Sequence, residues 1–213
     1  MSYVYRYDLI NQLIKKFGFK NYLEIGVSDP SECFDNVICE NKMGVDPGLE
    51  FPDNPVKYPM TSDNFFLQLE NGKLDLDPGF RWDIIFIDGL HISTQVMKDV
   101  INSLYHLNPN GYILLHDCNP ETYFMQREDY YIDGVQHPWN GTVWKVIYNL
   151  RATRDDLQVC TVNTDWGVGV IRRGNFNPIK FDNPFYEYNQ MSNSRRRDLG
   201  IIEVHEFEHW INT

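Results

Sequence analysis

Two apolar runs that end in aspartate constrain this chain more than any other feature. They read Ile84-Ile85-Phe86-Ile87-Asp88-Gly89-Leu90-His91 and Tyr112-Ile113-Leu114-Leu115-His116-Asp117-Cys118-Asn119. Short, unbroken apolar runs bounded by turn residues mark strands covered on both faces, the condition of a parallel sheet. Ligands of such sheets lie beyond the carboxyl ends of the strands, so Asp88, His91, His116 and Asp117 are predicted to concentrate the chemistry. Between the runs, Ser93 to Leu107 places Val96, Val100, Ile101 and Leu104 on one helical face. A single crossover helix then joins the two strands, and their aspartates should emerge side by side.

The remaining order fits the same class. Tyr7 to Phe17 carries Leu9, Ile10, Leu13, Ile14 and Phe17 at helical spacing and stops at Gly18. Tyr22 to Val27 reads as a strand, Ser31 to Cys39 as a turn and helix, and Met43 to Asp46 as a second strand stopped by Pro47-Gly48. A proline-rich loop from Gly48 to Met60 precedes a short helix over Asp63 to Leu69, and Asn108-Pro109-Asn110-Gly111 reads as a turn. Residues 121–140 show little periodicity and form a lid candidate. Thr142 to Arg151 reads as a helix, and Gln158 to Val162 with Gly167 to Arg172 as an antiparallel hairpin. The pattern predicts a three-layer α/β sandwich whose sheet is parallel apart from its last strand.

At 213 residues, one domain over 1–173 is the natural division, followed by a mixed tail over 174–213. Phe181, Phe185, Tyr186, Ile201, Ile202, Phe207 and Trp210 suggest that the tail packs on the domain or on a partner subunit, as in a homo-oligomer. A net charge of −11 argues against binding a phosphate backbone and for a small-molecule partner. Arg195-Arg196-Arg197, the one basic run, reads as a solvated face. No signal-type N-terminus and no membrane-length apolar run is present, so a cytoplasmic location is expected. Cys33, Cys39, Cys118 and Cys160 lack disulfide or zinc spacing and should be reduced thiols.

Glu24-Ile25-Gly26 ends the first strand, and Asp46 ends the second 22 residues after Glu24. An acidic side chain at that offset can accept both hydroxyls of a ribose. The glycine-rich phosphate cradle is replaced by Val27-Ser28-Asp29-Pro30-Ser31, and Asp29 would repel a pyrophosphate. A cationic adenosine ligand without phosphate, such as S-adenosylmethionine, suits Glu24, Asp29 and Asp46 better than a dinucleotide. Ser62 and Asp63 are candidates to accept from an adenine amino group, with helix capping as their competing role. Asp88 and Asp117 invite a divalent cation, since two unpaired carboxylates repel; His116 or Asn119 would complete its shell. An imidazole ligand shifts the preference from Mg²⁺ toward Mn²⁺, Fe²⁺ or Zn²⁺.

With those residues in view, the chain resembles class I S-adenosylmethionine-dependent methyltransferases, and among them the metal-dependent O-methyltransferases of the macrocin O-methyltransferase or Methyltransferase 24 group. The resemblance spans roughly residues 6 to 172. It rests on Tyr22 to Val27, Gly44-Val45-Asp46-Pro47, Trp82 to His91 and Leu107 to Asp117. It implies a Rossmann-like α/β/α sandwich with a mostly parallel seven-stranded sheet ending in an antiparallel hairpin. It also implies that Glu24, Gly26 and Asp46 hold the cofactor, that Asp88 and Asp117 bind a divalent metal, Mg²⁺ or Mn²⁺, and that His91 takes a proton from a substrate hydroxyl. The acceptor would be a sugar, glycoconjugate or other small polar molecule. Two departures stand out: the altered turn after Gly26, and His116 where related enzymes often carry an acidic ligand.

Each candidate has a competing role. Gly26 can simply turn the chain, Asp46 can cap a strand, and His91 can cap or pack at a helix start. His106, His205 and His209 are assigned to packing or solvent. His137-Pro138-Trp139-Asn140-Gly141 offers an aromatic surface and an amide, with loop anchoring by Trp139 the competing role. The alternative functions are a non-catalytic adenosine-binding domain, or a metal-dependent oxygenase or hydrolase built on Asp88, His91 and Asp117. A nicotinamide-dependent oxidoreductase fits least, for want of the phosphate loop.

Overall fold

The computed structural model describes residues 3–51, 53, 56–132 and 138–213. Two compact units make up the chain, one from Tyr5–Leu90 with Met97–Leu114, the other from residues up to Val4, His91–Val96 and Leu115–Thr213.

The first unit opens with α1 (Arg6–Phe17), which buries Leu9, Ile10, Leu13 and Ile14, the stripe its spacing predicts. Asp8 caps its start by accepting the Tyr5 N–H at 2.9 Å, and Lys15 and Lys16 sit in its last turn, so both signs oppose the helix dipole. Strand β1 (Asn21–Ile25) pairs in parallel with β2 (Asn41–Val45) on one side and β3 (Trp82–Ile87) on the other. Helix α2 (Ser62–Glu70), helix α3 (Ser93–Tyr105) from Met97 onward and strand β4 (Leu107–Leu115) up to Leu114 complete this unit. Ile84, Ile85 and Phe86 are wholly buried, as the unbroken apolar run requires. His106 follows α3 and is buried against Phe66 and Trp82, where burial lowers its pKa and keeps the ring neutral.

Two expectations for this unit need correction. No α-helix forms over Ser31 to Cys39; two short 3₁₀ turns, Pro30–Glu32 and Phe34–Asn36, take its place. The Asp29 carboxylate accepts from both Ser31 N–H (2.9 Å) and Ser31 Oγ (2.7 Å), and Asn36 Nδ2 donates to Ser31 O (2.7 Å). These side-chain bonds to local polar groups compete with a helical ladder. Asn108 to Gly111 lies within β4 rather than in a turn, because Asn108 Nδ2 donates to Asp83 Oδ1 (2.6 Å) and Pro109 is exposed, where its missing donor is tolerated. The proline-rich stretch is loop, as expected, and its described residues carry one bridge, Val45 to Tyr58.

In the second unit, α4 (Trp144–Thr153) precedes the antiparallel hairpin of β5 (Leu157–Val162) and β6 (Val168–Arg173). The hairpin turn holds Asp165 (φ 46°) and Trp166 (φ 61°) in the left-handed region, which is uncommon for residues with side chains. The tail forms α5 (Tyr188–Asn193), α6 (Arg195–Asp198), β7 (Ile201–Ile202) and α7 (Val204–Trp210), with β7 parallel to β5. The arginine run is not a simple solvated face. Arg195 donates to Asn119 Oδ1 (2.5 Å) and Pro120 O (2.8 Å), and Arg197 pairs with buried Asp198 at 2.6 Å. All four cysteines are free, three of them buried. His137 lies outside the described residues, as does part of the lid candidate.

The seven strands form one mixed sheet in the order β2-β1-β3-β4-β6-β5-β7, a Rossmann-like α/β fold that includes an antiparallel hairpin. Its seventh strand comes from the tail. Among the described residues no helix is long and apolar enough to cross a membrane.

Candidate active site

In the first unit the carboxyl ends of β1, β2 and β3 are locked together by backbone bonds. Gly26 N–H donates to Val45 O (2.9 Å) and Asp88 N–H donates to Ile25 O (2.8 Å). Gly26 has φ 83°, and a Cβ there would lie 2.3 Å from Gly89 Cα and 2.5 Å from the Asp88 carbonyl carbon. Only glycine fits so close a crossing of two chains. Asp46 is buried, and its two oxygens accept Ser28 N–H (2.9 Å) and Gly48 N–H (2.6 Å), which binds the turn after Gly26 to the end of β2. Each oxygen keeps a second lone-pair site that a ligand hydroxyl can use. Asp88 faces Arg6 Nε at 3.7 Å. Ser62 is the first residue of α2 and is buried, whereas Asp63 is half exposed and pairs with Lys98 at 3.3 Å; Thr61 caps the helix.

Glu24 lies deeper than the other acids, 1 % exposed, and accepts a hydrogen bond from Tyr22 Oη. Burial pushes its carboxyl up to about 8; the Tyr22 bond pulls the other way and the Asp88 charge adds to the rise. Because the folded pKa is raised, the stability tied to this group is complete below its unfolded value near 4.5 and is lost as pH rises through about 8. That span limits the effect to ~5 kcal/mol. Glu24→Gln should therefore flatten the fall in ligand-free melting temperature between pH 5 and pH 9. Parallel curves for both proteins in a thermal scan against pH would sink this assignment.

The second unit carries the other half of the chemistry. Asp117, two residues past β4, has φ 59° and is 5 % exposed. Its Oδ2 lies 3.2 Å from His91 Nδ1 and 3.3 Å from His116 Nδ1, while its Oδ1 accepts from Asn140 Nδ2 at 2.8 Å. The second nitrogen of His116, Nε2, lies 3.6 Å from Asp165 Oδ1, so a buried imidazole stands between two buried carboxylates. His91 is fixed on several sides. Thr142 N–H donates to its carbonyl (2.8 Å), Ser93 N–H donates to Thr142 Oγ1 (2.8 Å), and its ring stacks on Trp139 with centroids 4.7 Å apart. Gly141, at φ 58°, passes so near that a Cβ would lie 2.1 Å from His91 O. Nδ1 of the ring is thus turned toward a carboxylate, which favours the protonated imidazole.

Residues 49–118 match the family model described as a methyltransferase domain. Among solved structures, the fold resembles the S-adenosylhomocysteine-bound methyltransferase PaMTH1 of Podospora anserina (17 % identity, 82 % of this chain and 80 % of that one, TM-score 0.54). It also resembles an O-methyltransferase of Bacillus cereus in complex with S-adenosylhomocysteine (14 %, 79 % and 80 %, TM-score 0.52). Over part of its length the chain thus resembles a methyltransferase domain, and its fold is like that of these two structures. A third similar structure is MycE methyltransferase of the mycinamycin biosynthetic pathway in complex with Mg, S-adenosylhomocysteine and mycinamycin VI. The match there is 13 % identical over 87 % of this chain and 53 % of that one, TM-score 0.50. No curated protein sequence matches the chain.

The structure brings Gly26, Asp46 and Asp88 together at the strand ends of one unit, and His91, His116 and Asp117 together in the other. Sequence reading missed Asp165 altogether and saw in Asn140 only an amide. Both sit in turn segments, and Asp165-Trp166-Gly167 reads locally as an ordinary hairpin connection.

Proposed function

We propose that this chain is an O-methyltransferase that uses S-adenosylmethionine, assisted by a divalent cation, to methylate a hydroxyl of a sugar, glycoconjugate or other small polar molecule. The observation that carries the reading is His91, clamped by its backbone and turned with Nδ1 toward the buried Asp117 carboxylate 3.2 Å away. That arrangement is suited to a base working near neutral pH: the nearby carboxylate stabilises the imidazolium that forms when the ring accepts the hydroxyl proton. The hydroxyl oxygen then bonds to the methyl carbon as the carbon–sulfur bond breaks, leaving a neutral thioether nucleoside. Gly26 and Asp46 fit the nucleoside, since the glycine leaves the space a Cβ would fill and Asp46 retains acceptor capacity. Glu24, Ser62, Asp63 and Asp88 complete the proposed cofactor contacts.

Asp117 and His116 of one unit and Asp88 of the other are donors of the kinds that Mg²⁺ or Mn²⁺ takes. When bound there, the cation lowers the pKa of the substrate hydroxyl. Magnesium and mycinamycin VI in the MycE complex support the cation and a small-molecule acceptor. The acidic surface favours a small molecule over nucleic acid, and four free cysteines suit a cytoplasmic setting.

Calorimetric titration of metal-stripped protein with S-adenosylmethionine and S-adenosylhomocysteine, with and without Mg²⁺ or Mn²⁺, tests the proposal. Micromolar binding of both nucleosides, and none of NAD, is the expected result. Cation binding without nucleoside binding would move the oxygenase or hydrolase reading to the front. Tight nucleoside binding with no turnover across a hydroxyl acceptor screen would favour the non-catalytic domain.

A further inference from the structure

Asn140 is wholly buried at the turn that leads into α4. Its Nδ2 donates to Asp117 Oδ1 at 2.8 Å and to Trp166 O at 3.3 Å, and its backbone N–H donates to Met125 O at 2.9 Å. Its Oδ1 is buried and has no hydrogen-bond partner among the described residues. An orphaned acceptor in so enclosed a place is unfavourable unless something from outside the protein meets it.

The two oxygens of Asp117 are therefore divided: Oδ1 is held by Asn140, and Oδ2 is the one presented to His91 and His116. A free carboxylate can rotate and offer either oxygen, and the bond to Asn140 removes that freedom. Trp166 contributes through its backbone: its φ of 61° accompanies a carbonyl that accepts from both Asn119 N–H (2.9 Å) and Asn140 Nδ2. The hairpin turn thus braces the amide that braces the aspartate.

We infer that Asn140 is a positioning residue for the cation site, setting which oxygen of Asp117 is available to the ion and leaving its own buried Oδ1 for a group that arrives with the ion. This rests on the cation-assisted reading above. Partners that orient metal ligands typically change affinity 10–100-fold when removed.

The test is calorimetric titration of Mn²⁺ into wild type, Asn140→Ala and Asn140→Leu, beside titration of S-adenosylhomocysteine into each. Leucine keeps the same branching and number of side-chain heavy atoms and donates nothing, so it guards against collapse of the alanine variant. Expected is a loss of roughly tenfold or more in Mn²⁺ affinity for both variants, with nucleoside affinity within about twofold of wild type. Wild-type Mn²⁺ affinity in a variant whose melting temperature alone has fallen would overturn the inference and leave Asn140 a packing residue. Failure of the wild type itself to bind Mn²⁺ would overturn the cation-assisted reading and this inference together, an outcome distinct from a failure confined to Asn140.

Discussion

His91→Gln is expected to lower kcat for methyl transfer by roughly 10²–10⁴ while leaving S-adenosylmethionine affinity within about a factor of two. Glutamine keeps a polar group near Asp117 but cannot accept a proton at neutral pH, so the variant isolates proton removal from positioning. The imidazole owes its place to contacts that survive the substitution: the Thr142 bond to its carbonyl and the close passage of Gly141 are both made by the backbone. Single-turnover transfer of a labelled methyl group reads the chemical step directly. The activity of the variant should rise toward high pH, where the hydroxyl loses its proton without help. A variant with wild-type kcat at pH 7 would remove His91 from the base role and direct attention to His116.

The other large effect is expected at Gly26. Alanine there must place its Cβ 2.3 Å from Gly89 Cα and 2.4 Å from Gly89 N, against backbone atoms that cannot step aside as a side chain would. The left-handed φ of 83° adds ~1–2 kcal/mol for any residue with a Cβ, and overpacking of this kind adds ~1–3 kcal/mol. A total of ~2–5 kcal/mol corresponds to a melting temperature lower by roughly 4–20 °C in a chain of this size. Separation of the ends of β1 and β3 also moves Asp88, whose N–H is bonded to Ile25 O, so S-adenosylhomocysteine affinity should fall at least tenfold. Wild-type melting and binding in Gly26→Ala would show that the two strand ends do not cross so closely.

The sequence by itself determined what depends on local pattern. Helical spacing over Leu9, Ile10, Leu13 and Ile14, the buried runs before Asp88 and Asp117, and the hairpin after Gln158 all correspond to observed elements, because periodicity and turn chemistry act over a few residues. The same locality explains why Gly26, Asp46 and Asp88 could be named: each is the residue at which a readable strand stops. Local pattern failed where side chains competed with the backbone, as at Asp29 and Ser31, whose bonds replaced the expected helix by 3₁₀ turns. It failed again over long separations. The seventh strand comes from Ile201–Ile202, Arg195 is drawn onto Asn119, and Asn140 and Asp165 reach Asp117 and His116. Those meetings join segments 23 to 76 residues apart. Only the tertiary structure decided them, since the packing of a turn against a strand end depends on how the intervening elements register, and no residue carries that register in its own neighbourhood.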